Sequence, residues 1–424
     1  MSRATQRPNI YLDNAAATPI SSLVKKETIK TMGLYGNPAS FNNTGREARK
    51  RLDESRLTIA RFLGSRPEEI IFTAGGTESD NLAIFGMLGH PTSARRSDVQ
   101  AHIITTKIEH HAVLYPIKKL EKGGLIKATY LSVDKNGLID LAEFRKSLTE
   151  NTILVTVGYA NNEIGVVQPI AEIAKILRNF RNSKTPFFHT DACQAAGYLD
   201  MKVNPPTGGL GVDLMTVNGS KIYGPKGVGF LYARNGVKLE PIVYGGGQER
   251  GIRSGTENVP AIVGLAEAFK IAQAEQKKES LRLIKIRDFI IKELQKRIPD
   301  VVLNGHPTKR LPNNISISVL NAEGESMVLY LDAKGIAAST GSACTSESLE
   351  PSHVIMALGL PYEYSHGSLR FTLGRSNTKK DAEYLIKTLP PIVEKLRQMS
   401  PVKFTSQIPI RQLADKSQIN SKSQ

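Results

Sequence analysis

The run Thr152-Ile153-Leu154-Val155-Thr156-Val157 is apolar or β-branched at every position. A strand with no polar face has to be covered on both sides, which is the situation of a strand inside a parallel sheet between helical layers. Further runs of this kind occur at Glu69 to Thr73, His102 to Thr105, Pro186 to Thr190, Asp213 to Val217 and Gly227 to Tyr232. Amphipathic stretches alternate with them. This alternation predicts an α/β domain with a mostly parallel sheet. Beyond about Ala261 the character changes. A long helical stretch reaches about Arg297, Asn314 to Val319 alternates as a half-buried strand, Ser368 to Leu373 does so less cleanly, and Asp381 to Met399 is helical again. Strands and helices without regular alternation predict a smaller α+β domain. Pro401 ends the pattern, and the Ser- and Gln-rich tail 401–424 is expected to be poorly ordered.

Composition narrows the possibilities. Of 424 residues, 40% are hydrophobic, enough for a core and too many for a disordered chain. Two cysteines, Cys193 and Cys344, exclude a disulfide-stapled secreted module. No apolar run approaches the ~20 residues of a membrane span. Met1 to Asp13 has no apolar signal core, so a reducing, cytoplasmic setting and no membrane partner are expected. Lys and Arg total 56 against 40 Asp and Glu, giving +16. Two modest basic clusters occur. In Lys277 to Arg297, Arg282, Lys285, Lys292 and Lys296 lie off the apolar face formed by Leu283, Ile286, Ile290 and Leu294. The tail carries Lys403, Arg411, Lys416 and Lys422. With no Arg-rich arm, zinc finger or aromatic RNA-binding signature, the charge reads as a dispersed solvated surface, and nucleic acid is not an expected partner.

Three segments carry chemistry. In Asn218-Gly219-Ser220-Lys221-Ile222-Tyr223-Gly224-Pro225, Lys221 follows a strand and precedes a Gly/Pro turn. A lysine aimed into a crevice can lose its proton and form a Schiff base with a carbonyl, although taken alone an exposed structural lysine is much the commoner case. In His189-Thr190-Asp191-Ala192-Cys193-Gln194, Asp191 stands where a strand ends, the place where α/β sheets bind ligands. Its carboxylate could hold a pyridine nitrogen protonated, or cap a helix. In Thr73-Ala74-Gly75-Gly76-Thr77-Glu78-Ser79-Asp80-Asn81, glycines precede a helix whose amides can bind phosphate, or the segment is an ordinary turn. Phosphate cradle, ring-nitrogen carboxylate and Schiff-base lysine on successive strand ends together describe a pyridoxal-phosphate site.

With Tyr11-Leu12-Asp13-Asn14-Ala15-Ala16, Gly36-Asn37-Pro38-Ala39-Ser40, Glu109-His110, Asn161-Asn162-Glu163-Ile164-Gly165, Arg253-Ser254-Gly255-Thr256 and Gly341-Ser342-Ala343-Cys344-Thr345-Ser346, these segments resemble the cysteine desulfurases of the class V aminotransferase group. The likeness runs from Tyr11 to about Pro401. It implies the aspartate-aminotransferase-like fold (fold type I), with a large cofactor domain at 16–262 built on a mostly parallel seven-stranded sheet. A small α+β domain would comprise 1–15 and 263–400. By the same resemblance Lys221 is the Schiff-base lysine, Asp191 pairs with the pyridinium nitrogen, and His110 stacks on the ring and takes part in proton transfer. Gln194 and Asn162 surround the phenolic oxygen and substrate site. Gly76 and Thr77 belong to the phosphate loop, and Thr256 reaches the phosphate of a second subunit, which implies a homodimer. Asn37 and Arg370 hold the substrate carboxylate. A guanidinium suits that task because it grips a carboxylate with two parallel hydrogen bonds.

Cys344 separates this pattern from an aminotransferase. Its surroundings, Ser339 to Ser348, are rich in small residues, as suits a loop that carries a nucleophile. The resemblance implies that its thiolate takes sulfur from L-cysteine, giving a persulfide and L-alanine, for an acceptor such as an iron–sulfur scaffold or a sulfur carrier. The extended loop resembles the housekeeping iron–sulfur and nitrogen-fixation branch. Cys193 reads as a small buried hydrophobe and His111 as structural. The chain departs from the family where Asn218-Gly219-Ser220-Lys221 replaces Ser-Gly-His-Lys, so Asn218 and Ser220 are left to contact the phosphate. Two other readings are a related lyase or aminotransferase, and a basic binding protein on a degenerate enzyme fold.

Overall fold

Parallel pairing organises the larger part of the chain. The computed structural model describes residues 9–88, 100–180, 186–204, 208–341 and 351–400. In order, the elements are β1 (Ile10–Tyr11), α1 (Ser22–Thr31), α2 (Asn43–Leu63), β2 (Ile70–Thr73), α3 (Gly76–Leu88), β3 (Ala101–Thr106), α4 (His111–Lys122), β4 (Ile126–Leu131), α5 (Leu141–Ser147), β5 (Thr152–Thr156), α6 (Ile170–Asn179), β6 (Phe187–Asp191), β7 (Leu214–Asn218) and β8 (Gly229–Ala233). Then come α7 (Val259–Arg297), β9 (Val301–Leu303), β10 (Asn314–Val319), α8 (Gly324–Asp332), β11 (Ile336–Ala337), α9 (His353–Ala357), α10 (Tyr362–His366), β12 (Ser368–Thr372) and α11 (Lys379–Met399).

A seven-stranded sheet has the order β2-β8-β7-β6-β5-β3-β4. Neighbours from β4 to β7 are parallel, and β8 alone runs against both of its partners. The β-branched run predicted as a doubly covered strand is β5 with its exit, and Leu154, Val155 and Val157 are fully buried. Sequence reading passed over β4. It is an edge strand, its Lys127 is exposed, and nothing in Ile-Lys-Ala-Thr-Tyr-Leu marks it as continuous with the core. A three-stranded antiparallel sheet, β12-β10-β9, forms the second unit.

Two features join these parts. Helix α7 is 39 residues long, about 58 Å at 1.5 Å per residue, and it packs on α1 and α2 as well as on α11, β9 and β10. The N-terminal segment crosses in the other direction. β1 pairs in parallel with β11, Ala15 N donates to Thr372 Oγ1 (2.8 Å), and Thr18 N donates to the Ser220 carbonyl (2.8 Å). A buried ion pair fixes the start of the β2 strand: Arg56 grips both oxygens of Glu249 at 2.6 and 2.8 Å, and Phe72 N donates to the same carboxylate (2.9 Å).

Candidate active site

The strand ends converge on one cavity of about 290 Å³. β6 delivers Asp191, β7 delivers Asn218 and then Lys221, β2 leads into Gly76 and Thr77, β3 leads to Glu109 and His110, and β5 leads to Gly158 and Asn162. Gln194, Cys193 and Arg370 complete the wall with Asp80. Ligands bind α/β sheets at this edge because the chain leaves buried strands there and turns back as loops and helix N-termini.

Each side chain is positioned by local bonds. Lys221 Nζ donates to the carbonyls of Ala15 (2.9 Å) and Ala16 (2.5 Å). Gln194 Nε2 donates to Ala15 as well (3.0 Å). Asp191 Oδ1 accepts from Cys193 N (2.9 Å), which closes a turn rather than capping a helix, since 193–198 are turns, and Asp191 also faces the cavity. His110 is the N-cap of α4, and its Nδ1 accepts from Ala112 N (3.1 Å). The neutral ring therefore carries its proton on Nε2. Burial lowers its basicity, with Asp191 opposing and Lys221 reinforcing the shift. Arg370 is only 3% exposed. It donates to the Asn162 carbonyl (3.1 Å) and Asp13 (3.0 Å), while its Nε has no partner among the described residues.

Gly76 opens α3, and a Cβ there would lie 2.8 Å from Cys193 Sγ. Only glycine lets the loop sit this low, leaving the first amides of a 13-residue helix at the cavity. Asn218 lies beside this loop: its amide nitrogen is 3.6 Å from the same Cβ position, and its Oδ1 accepts from Ser220 N and Oγ (both 3.2 Å). The Ser220 hydroxyl is thus directed to Asn218, and Ser220 does not line the cavity. Neither do Asn37, exposed and capping Ala39 N (2.9 Å), nor Thr256, also exposed. Cys344 falls outside the described residues. Described residues on either side of it in sequence meet the cavity wall: Ser339 and Arg370 exchange backbone hydrogen bonds (2.7 and 3.2 Å), and His353 Nε2 donates to the Glu109 carbonyl (3.0 Å).

Burial tunes the groups. Glu109, which accepts from Thr106 (2.7 Å) and Gly158 N (2.9 Å), is pushed up to about 7. Burial drives the Cys193 thiol well above its usual range, and Asp191 adds to the rise, which makes Cys193 a poor nucleophile. His111 stacks on Tyr115 and His353 rings at 4.5 and 4.7 Å, away from the cavity wall. Two of the cavity's carboxyls, Asp80 and Glu109, have no role assigned from the sequence. Asp80 was accessible to reasoning, since it follows Gly76 by four residues and shares its helix face.

A cradle only glycine permits, a lysine amine, a carboxylate at a strand end and an unpartnered guanidinium nitrogen fit pyridoxal phosphate and an amino-acid carboxylate. The chain belongs to the class-V aminotransferase family, whose sequence profile matches residues 10–385. Enzymes of this group depend on pyridoxal phosphate, and this chain is one of them. Within the family it is similar to cysteine desulfurases. It is 47% identical to cysteine desulfurase IscS of Dictyoglomus turgidum over 399 residues, covering 93% of this chain and 97% of the relative. A solved NifS-like protein superposes with TM-score 0.83 at 34% identity, over 92% of this chain and all of that one. The structure of SspA in complex with cysteine superposes with TM-score 0.74 at 32% identity, over 86% and 98% of the two chains.

Proposed function

We propose that this chain is an L-cysteine desulfurase that passes sulfur to Cys344. The observation that carries this reading is the convergence of Lys221, Asp191, His110 and Arg370 on one cavity, with Ser339 and His353, described residues before and after Cys344 in sequence, bonded to Arg370 and Glu109 of its wall. The cofactor, when bound, supplies an electron sink that makes the bonds at the substrate's α and β carbons labile. Lys221 holds it covalently and moves a proton at its Nζ. Asp191 keeps the ring nitrogen charged. Gly76, Thr77 and Asn218 hold the phosphate, with Ser220 orienting Asn218 and Thr256 contributing from a second copy. His110 covers the ring. Gln194 and Asn162 orient ring and substrate. Arg370 grips the substrate carboxylate, and Asn37, which lies off this cavity, takes no part in that grip here. The Cys344 thiolate then attacks the substrate sulfur: the carbon–sulfur bond breaks, a sulfur–sulfur bond forms, and the three-carbon remainder takes up protons to leave as alanine. The persulfide serves an acceptor, an iron–sulfur scaffold or a sulfur carrier. Residues 16–262 form the cofactor domain, and 1–15 with 263–400 the smaller one. We place the enzyme in the cytoplasm; among the described residues no helix is long and apolar enough to cross a membrane.

The test is a pair of variants assayed for alanine and for sulfide released by a reductant. Cys344→Ala keeps the visible absorption of bound cofactor and makes almost no alanine, whereas Cys193→Ala keeps most of its turnover. Normal turnover of Cys344→Ala would make the chain a lyase that shares the desulfurase pattern.

A further inference from the structure

Asp80 is the cavity carboxyl with the least support. Its side chain is 2% exposed and lines the cavity, and its Oδ1 has no hydrogen-bond partner among the described residues. The nearest ring nitrogen, His189 Nε2, lies 3.6 Å away. A buried chain of hydrogen bonds leads to it. Thr156 Oγ1 meets His189 Nδ1 (2.8 Å), His189 Nε2 meets Thr216 Oγ1 (3.0 Å), and the Thr216 hydroxyl reaches Asp80. His189 and Asp191 point to one face of β6 because they are two residues apart. Thr216 is the register partner of Asp191, and Thr156 that of His189. The chain therefore runs across three strands directly beside Asp191 and ends on a carboxyl at the cavity.

Asp80, Asp191 and Glu109 share this wall. The cations that line the cavity are Lys221, seated on the Ala15 and Ala16 carbonyls, and Arg370, paired with Asp13. The surrounding rings, His110 and His189, are held neutral by burial, His189 down to about 4. Carboxyls crowded into a dry wall do not all ionise, and the one with the poorest solvation takes the proton. Asp191 has a backbone amide donor and is partly open, whereas Asp80 is closed off with one hydroxyl. We propose that Asp80 holds a proton and is a positioning residue for the cofactor: it closes the Thr156–His189–Thr216 chain and leaves Asp191 as the charged carboxylate available to the ring nitrogen. This rests on the assignment of Asp191 made above.

The holoenzyme tests it with two readouts that do not involve turnover. Infrared difference spectra of wild type and Asp80→Asn should show one protonated-carboxyl band lost in the variant, with Glu109→Gln identifying any band of Glu109. The visible absorption of the lysine-bound cofactor, titrated with pH, should keep its midpoint in Asp80→Asn, a neutral isostere whose amide oxygen still accepts from Thr216. It should move by ~0.5 pH unit or more, about a threefold change in proton affinity, in Asp80→Leu, which deletes that acceptor. Unchanged carboxyl bands in Asp80→Asn would show Asp80 ionised and overturn the inference. So would an unmoved midpoint in Asp80→Leu, which would make Asp80 a filler. Absence of the visible band from wild type would instead remove the cofactor assignment itself.

Discussion

Lys221 and Arg370 reach one cavity from distant parts of the chain: Lys221 donates to the carbonyls of Ala15 and Ala16, and Arg370 to the Asn162 carbonyl and the Asp13 carboxylate. A carbonyl holds a cation in place without cancelling its charge, and Arg370 Nε has no partner among the described residues and faces a ligand's carboxylate. Arg370→Lys keeps the charge and loses the planar fork. It should raise KM for cysteine roughly 10-fold, about 1.4 kcal/mol, with a smaller effect on kcat, as steady-state kinetics would show. Glu109 supplies a prediction in pH. Its folded value of about 7 lies above that of an exposed carboxyl. A raised folded value means the native state binds the proton more tightly, so the associated stability is complete in acid and is lost as pH climbs through 7. Glu109→Gln should therefore gain stability relative to wild type between pH 5 and pH 8, on the order of 2–3 kcal/mol in urea melts. An equal pH slope in both proteins would contradict the assignment.

Helix starts and strand ends do most of the positioning, and they differ in how plainly the sequence announces them. The Gly75-Gly76 loop, the Asp191 strand end and the Lys221 turn were legible because each couples an apolar run to a residue with few other uses there. β4 was missed at the sheet edge, and β1 and β11, two residues each, are too short for any periodicity. The reversed direction of β8 was not legible either, since an apolar run carries no arrow. His110 shows two roles compressed into one residue, a ring at the cavity and the cap of α4. His110→Asn retains a capping side chain and His110→Ala does not. The alanine variant should be less stable than the asparagine variant by ~1 kcal/mol in chemical denaturation, while both lose the imidazole. The buried Arg56–Glu249 pair, invisible in sequence across 193 positions, predicts a larger cost. Arg56→Met should lose about 3–5 kcal/mol because it strands a buried carboxylate.

For the molecule as a whole, the exposed apolar residues between Leu23 and Phe41 are the strongest sign of an unsatisfied surface, with Tyr35 86% and Phe41 93% exposed. Exposed apolar surface of this kind marks an interface. Together with Thr256 lying off its own cavity, it supports the proposed homodimer. Sedimentation should give a mass near twice 46.4 kDa, and Phe41→Glu should shift the population toward monomer and speed the loss of cofactor on dialysis. A monomeric wild type would overturn this. The crossing of the N-terminal segment has a consequence for biosynthesis. Ala15 and Ala16, whose carbonyls seat Lys221, leave the ribosome early, yet their path is tied to Ser220 on one side and to β11 and Thr372 on the other. Domains fold in the order in which they are made, so the seven-stranded sheet can assemble while its lysine still lacks its seat. Arg370, which lines the cavity, and Thr372, which holds Ala15, are made last, and a product truncated after α7 would lack both.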